Sequence, residues 1–445
     1  MSITTYNSPA RATGRGANLI GDAELGSLTL SGVLLFFTGL FVFGSGFGDL
    51  RPEIGGLLVH PCLFPILISA PFLAFSRLGQ FPSRILAGLL VFTCMYSISA
   101  MGQSVALGEI AKCGSALVMI VVAALLVRTR ADFVAGVVGL TVAIGLLAFR
   151  ALQTSDLSAE GGAIDVANKN SFSIYALSAI LLAGAVVLQF KTLTWLLKVP
   201  LMFCGLVAVV SILLSGNRSG WLGVAVVGVL LMKDRKFAGT LLVLVLTSVA
   251  AFWISNYGDT RVAEQRIKDT QQGRTSDTFR INLFRNSLMI GLENPLLGVS
   301  PQRLPFELGL RVTESTAYNV IDPHNVWGHV AGGSGLICFA ALLYSGWAIW
   351  RWPMAKLAKK QPAGKMYVAS VHTIRSMVVL WAVRGMFTRE ILYNPGASIG
   401  LGLAIGWCMI EYFSFAQVVG PGKRFPQFNA TTQPERQPAL LGSHP

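Results

Sequence analysis

Long apolar stretches alternate with short polar ones along almost the whole chain. Uncharged or nearly uncharged runs occupy about 27–47, 55–75, 85–101, 106–127, 131–149, 172–190, 195–214, 219–232, 237–254, 325–350, 367–387 and 398–417. Most approach the roughly 20 residues that a helix needs to cross the hydrocarbon of a bilayer. The pattern predicts twelve transmembrane helices, of which 219–232 is the shortest. The first run starts near residue 27 without a convincing cleavage site, so it reads as an uncleaved span rather than a signal peptide. One polar segment breaks the rhythm, residues 255–324 between the ninth and tenth spans. Long polar connections in a tightly wound protein tend to be functional. Within it, DTFRINLFRNSLMIGLENP sets Ile281, Phe284, Leu288 and Leu292 at helical spacing. That predicts an amphipathic helix against the membrane surface, ended by Pro295 and Gly298.

Composition strengthens the membrane reading. Hydrophobic residues make up 53% of the chain and charged residues 13%, where a soluble domain carries about 25% charged residues. The expected fold class is an all-α polytopic membrane protein. Its parts are an N-terminal tail (1–26), transmembrane helices 1–9 (27–254), a loop with the amphipathic helix (255–324), transmembrane helices 10–12 (325–417) and a C-terminal tail (418–445). The tail is rich in Pro, Gln and Thr and is expected to be disordered. The formal net charge of +14 changes the picture only through its distribution. One set of alternate loops holds Arg77, Arg84, Arg128, Arg130, Lys191, Lys198, Lys233, Arg235 and Lys236, and five more cations lie from Arg351 to Lys365. The opposite short loops hold Arg51, Arg150, Lys169, Arg218, Arg384 and Arg389. Positive loops stay inside, so both tails are expected in the cytoplasm and 255–324 outside. Topology thus accounts for the charge, and no motif points to nucleic acid. The six cysteines fall inside predicted spans without paired spacing and read as small packing residues rather than a disulfide or metal framework.

The outer face gathers the candidate chemistry. LLSGNRSGWLG is the turn between spans seven and eight and carries Arg218; GRTSDTFR supplies Arg274 and Arg280. DPHNVW puts His324 and Asn325 at the entrance to span ten, and RGMFTREILYNPG puts Arg384, Arg389 and Glu390 at the outer end of span eleven. A guanidinium fork grips two oxygens of a diphosphate at once, and an imidazole accepts a proton near neutral pH. Each residue also has a structural reading: Arg218 as an interfacial anchor, His324 as a helix cap through Asp322 and Asn325, Arg280 as the polar face of the surface helix, and Arg384, Arg389 and Glu390 as an exposed ion-pair cluster. Lys112 and Arg375 fall within spans, where charge is costly, and Glu109 is a ready helical partner for Lys112. His329 and His372 read as interior polar groups.

The SGNRSG turn, the loop Arg followed by an aromatic and then ENPLLGVS, and PHNVW at a helix start together resemble the bacterial O-antigen ligase and polymerase superfamily, most specifically over about 211–350. In that family the pattern is a Ser-x-Ser-Arg-Gly turn, an Arg-x-x-x-Trp motif with a downstream Pro-x-x-Gly-x-Gly, and Pro-His-Asn. The resemblance gives Arg218 the role of the turn Arg, Arg280 that of the loop Arg and His324 that of the catalytic His. Phe284 stands where the family has Trp, Ser300 replaces the second Gly, and Ser219 follows Arg218 where Gly is common. The resemblance implies a GT-C-like fold and a metal-independent, inverting glycosyltransferase of the inner membrane with no cofactor. It would move a glycan from undecaprenyl diphosphate to an acceptor hydroxyl on the periplasmic face. Arg274, Asn325, Arg384, Arg389 and Glu390 are the expected substrate-binding residues. The favoured outcome is surface-polysaccharide polymerisation, with transfer of finished chains to lipid A core as the alternative. Polysaccharide export and chain-length proteins are the further expected partners beside the lipid bilayer. A flippase or exporter of lipid-linked sugars is the reading from another class; its binding groups belong near the midplane, whereas these charges gather at one face.

Overall fold

Eleven of the twelve apolar runs are helical in the computed structural model, which describes residues 25–45, 52–54, 57–101, 106–154, 169–214, 218–231, 276–312, 321, 323–352 and 365–419; the remaining run, 237–254, lies outside the described residues. The first half comprises α1 (Leu30–Leu40), α2 (Val42–Ser45), α3 (Leu63–Ser69), α4 (Ser83–Ala100), α5 (Ala106–Leu126), α6 (Arg130–Thr154) and α7 (Lys169–Gln189). The second comprises α8 (Trp195–Leu214), α9 (Arg218–Leu231), α10 (Ser276–Glu293), α11 (Leu304–Val312), α12 (Val326–Arg351), α13 (Lys365–Gly385) and α14 (Pro395–Val419). Among the described residues, nine helical stretches are long and apolar enough to cross a membrane, and Leu30–Ser45 and Ser219–Leu231 are shorter apolar helices. The described sheet is one antiparallel pair of two-residue strands, β1 (Glu53–Ile54) and β2 (Leu57–Leu58), so the architecture is all-α.

The second run departs most from its predicted bounds. Its first residues form the β hairpin, and helix begins only at Leu63. From Ala70 the backbone widens to a π turn and then tightens to a 3-10 turn that ends at Gln80. Pro71, lacking an N–H and clashing with the preceding turn, accounts for the irregularity.

Burial separates centre from periphery. α7 and the span Pro395–Ser414 of α14 are each 83% buried over their apolar windows, whereas Trp195–Leu213 is 28% buried and Leu63–Gln80 33%. The outer pair thus presents most of its surface to lipid. α1 lies against α6, α4 against α12, and α5 and α13 against α14. Glycines set the α1 and α6 spacing, because a Cβ at Gly139 would collide with the Phe36 carbonyl.

Helix ends meet at two levels. At one, Thr129 caps α6 in a capping box: the Thr129 hydroxyl accepts from Asp132 N (3.1 Å) and Asp132 Oδ2 accepts from Thr129 N (3.0 Å). The fully buried Asp132 also accepts from the Arg128 backbone and from the Thr29 N–H and hydroxyl, which fastens the start of α1 to that of α6. Beside it Arg130 grips Glu411 through Nε (2.6 Å) and Nη2 (2.8 Å), and Trp407 stacks on Phe133 at 4.7 Å. Arg77 reaches the carbonyls of Leu125 and Val127 at this end, and Trp352 meets Tyr412 there. We call it the basic end, since it collects the arginines that the loop pattern placed together.

Candidate functional site

At the opposite end α12 starts with Pro323, His324 and Asn325. Asn325 is the N-cap: its Oδ1 accepts from Gly328 N at 2.6 Å. Its Nδ2 simultaneously donates to the Pro323 carbonyl at 2.8 Å. Pro323 and Asn325 are both buried, so the three residues form a closed clamp around an exposed His324. The clamp holds His324 at φ +56°, in the left-handed region. That region costs an L residue about 1–2 kcal/mol, less for Asn, Asp and His than for bulkier types, and persists where surrounding bonds impose it. Proline fixes the residue before, the cap fixes the residue after, and the imidazole is turned out of the helix.

α10 descends alongside α12 rather than across its end. Leu283, Ser287 and Ile290 are buried, whereas Ile281 and Leu292 of the predicted apolar stripe are 66% and 67% exposed. The packed face is therefore a second, narrower one, built on small residues. Ser287 meets Gly328 and Gly332, and a Cβ on Gly291 would stand 2.5 Å from the Ala331 carbonyl. Next the ENPLLGVS segment enters a break in α12 at Gly335, whose φ is +83°. Pro295 O accepts from Leu336 N at 2.8 Å, and Val299 N donates to Gly332 O at 3.0 Å. The break frees one donor and one acceptor, and the inserted turn satisfies both. Gly298 and Ser300 carry positive φ values of +65° and +80° in that turn. The second is the position where the sequence departs from the family's Gly, and the backbone there still has the glycine conformation. Its buried hydroxyl has no hydrogen-bond partner among the described residues.

The C-terminal end of α13 and the N-terminal end of α9 complete the surroundings. Gly385 passes against Val326 and Trp327 of α12. Arg384, fully buried, donates from Nη2 to the Ser173 hydroxyl at 2.7 Å, and its Cδ stands 3.4 Å from where a Cβ on Gly223 of α9 would be. A 3-10 turn, Arg389–Leu392, follows; Glu390 Oε2 accepts from Ser171 at 2.6 Å. Arg389 and Glu390 are half-buried, so these three residues belong to a packed junction of α7, α9 and α13 rather than to an exposed cluster. Arg280 lies exposed on α10 toward the end where His324 stands. Arg218 is the first residue of α9, at the end near Arg384, and its side chain lies outside the described residues, as does all of Arg274.

One polar centre was not assembled by the sequence, which singled out Glu109 and His329 separately and Tyr96 and Tyr393 not at all. Tyr96 OH lies 2.7 Å from Tyr393 OH, 3.1 Å from His329 Nε2 and 3.1 Å from Glu109 Oε2, and Tyr393 OH is also 3.1 Å from His329 Nε2. Glu109 pairs with Lys112 at 2.9 Å, as the helical spacing predicted. Burial pushes the Tyr393 phenol well above its ordinary range. The centre ties α4, α5, α12 and the 3-10 turn together beneath the clamp. Its two halves, Tyr96 with Glu109 and His329 with Tyr393, lie more than 200 residues apart in the chain, so no local spacing could have grouped them.

Among the predicted site residues, the structure therefore brings His324, the backbone start of α9, Arg384, Arg389 and Glu390 to one end of the bundle, with Arg280 on the helix that packs beside His324. Asn325 is spent on the clamp. The chain matches no curated protein. Residues 203–343 match the family model described as O-Antigen ligase. The matched stretch runs from α8 through the inserted turn to the middle of α12 and contains each motif of the resemblance, so over those residues the chain is similar to the O-antigen ligase family.

Proposed function

We propose that the protein is an inner-membrane glycosyltransferase that moves a glycan from undecaprenyl diphosphate to an acceptor hydroxyl on the periplasmic face, joining surface-polysaccharide chains. The observation that carries this reading is His324, an exposed imidazole held in a strained left-handed conformation by its two neighbours. A cap would not need that geometry, because Asn325 is the cap. In the proposed reaction the acceptor oxygen attacks the anomeric carbon, and His324 takes the hydroxyl proton. The glycosyl bond breaks with its electron pair leaving on the diphosphate, and the configuration inverts. Arg218 and Arg280 neutralise the departing charge, as preorganised cations at the edge of a low-dielectric region. Arg389 and Glu390 line the same region, buried Arg384 and the Asn325 clamp hold its walls in place, and Arg274, outside the described residues, is assigned to the diphosphate by its place in the sequence alone. The distribution of positive loops supports a cytoplasmic basic end, which sets His324 on the outer side.

The test is the leaflet in which donor accumulates when the protein fails. In cells carrying Arg218→Lys, an undecaprenyl-diphosphate glycan gathering on the outer leaflet is the expected result. Accumulation on the inner leaflet would mean that the protein moves lipid-linked sugars instead of transferring them.

A further inference from the structure

The turn that fills the break in α12 points its own side chains away from the protein. Leu296 is 64% exposed and Leu297 42%, beside Leu292 at 67% and, on α12 itself, Ile337 at 44%. Such an apolar tip in water would be costly, at roughly 25 cal/mol for each Å². Its height can be gauged from α12. Trp347, Trp350 and Arg351 mark the basic end, with Arg351 over the Trp347 ring and Arg375 over that of Trp350. Interfacial tryptophans and cations of this kind mark the hydrocarbon boundary. From Trp350 up to Leu336, which hydrogen-bonds Pro295, the helix rises about 21 Å, less than the ~30 Å thickness of the hydrocarbon. α4 gives a second gauge: Cys338 Sγ donates to Phe92 O at 3.7 Å, and Phe92 lies about 12 Å along the helix from Arg84. Both place the Pro295–Leu297 turn inside the bilayer rather than above it. Non-helical backbone is tolerated there only when protein satisfies its polar groups, and the bonds to Leu336 and Val299 do so.

Charged groups flank the tip along the chain and form what we call a collar. Glu293 pairs with Arg311, and Arg303 Nε with Glu307 at 2.8 Å, both pairs partly exposed. We infer that the ENPLLGVS turn is a re-entrant anchor: Leu292, Leu296 and Leu297 insert among the acyl chains of the leaflet at the His324 end, and the two ion pairs sit at headgroup level. The surface is continuous with the lipid-facing side of α12 at Ile337. The anchor fixes the height of the clamp, since the nine helical residues from Val326 to Ser334 lift His324 about 13 Å above the turn. This inference does not depend on the proposed reaction.

Collision of a spin label with oxygen, which enriches in hydrocarbon, and with a nickel chelate, which stays in water, tests it in proteoliposomes. Replacing Cys94 and Cys204 by Ala removes the two cysteines that are not buried and leaves the other four in place. Labels then go singly at Leu296→Cys, at Arg303→Cys on the collar, and at Phe72→Cys, an 80% exposed position within a span. The label at 296 should match the one at 72, with oxygen collisions several-fold above nickel, while the label at 303 shows the lower ratio of a headgroup position. A nickel accessibility at 296 equal to or above that at 303 would overturn the anchor in favour of a water-exposed turn. Shielding from both reagents would also overturn it, because another protein segment would then cover the tip.

Discussion

Replacing His324 by Gly should move stability and activity in opposite directions. The residue sits at φ +56°, a conformation costing an L side chain about 1–2 kcal/mol and costing Gly almost nothing. Gly gives back roughly 0.5–1 kcal/mol through the extra freedom of its unfolded chain. The exposed imidazole contributes little packing, so the net expectation is a gain of up to about 1 kcal/mol over wild type. The comparison with His324→Ala is sharper, because Ala keeps the strain while losing the side chain equally. Thermal unfolding of the three purified proteins in one detergent should therefore rank Gly above Ala, by a margin of about 1 kcal/mol. Transfer should fall in both variants by roughly 10² to 10⁴, the usual contribution of a positioned general base. A Gly variant less stable than the Ala variant would refute the clamp geometry. Transfer within a few-fold of wild type would refute the role of His324 in the reaction.

Ser300→Gly should stabilise the fold by about 1 kcal/mol in the same unfolding assay, because it removes a left-handed serine and a buried hydroxyl without a partner. Transfer per folded molecule should stay unchanged. Asn325→Ala should cost about 1–2 kcal/mol as a lost cap and also depress transfer, although the asparagine amide is engaged with backbone on both sides; unaltered transfer would show that the clamp does not orient His324. Lys at Arg218 or Arg280 should abolish activity by losing the bidentate fork, whereas Arg303→Lys, which only alters an ion pair on α11, should retain most of it. At the basic end, Asp132→Asn should lower stability by about 2 kcal/mol, since a buried carboxylate accepting several N–H and O–H donors is lost. Its transfer rate per folded molecule should match wild type, and a selective loss of rate would mean that the two ends are coupled.

Hydropathy alone located every described span, because in lipid the backbone must close its own hydrogen bonds and only long apolar helices do so. The errors came where that rule bends. The hairpin and the prolines of the second run moved its helix to Leu63, and the tenth span proved to be a broken helix repaired by a distant turn. Gly332, Gly333 and Gly335 were visible as letters, but the partner that makes their break possible lies in the loop before them. The apolar stripe of α10 was legible, yet it faces outward. The packed face uses Ser287 and Gly291, whose value is their small size rather than their hydrophobicity. His324 stood out as a candidate because Pro and Asn flank it, and those same neighbours hold its backbone. The Tyr96, His329 and Tyr393 centre was not, since each residue is ordinary in its own segment.

The most direct measurement is release of undecaprenyl diphosphate from a lipid-linked glycan by the purified protein in proteoliposomes, followed together with the glycan products. The account predicts one diphosphate carrier released for each new bond, with chains lengthened when a second lipid-linked glycan is the acceptor. It predicts release near background for His324→Gly at equal folded protein. A donor that remains intact beside the active wild-type protein, or crosses the bilayer unchanged, would contradict glycan transfer as its function.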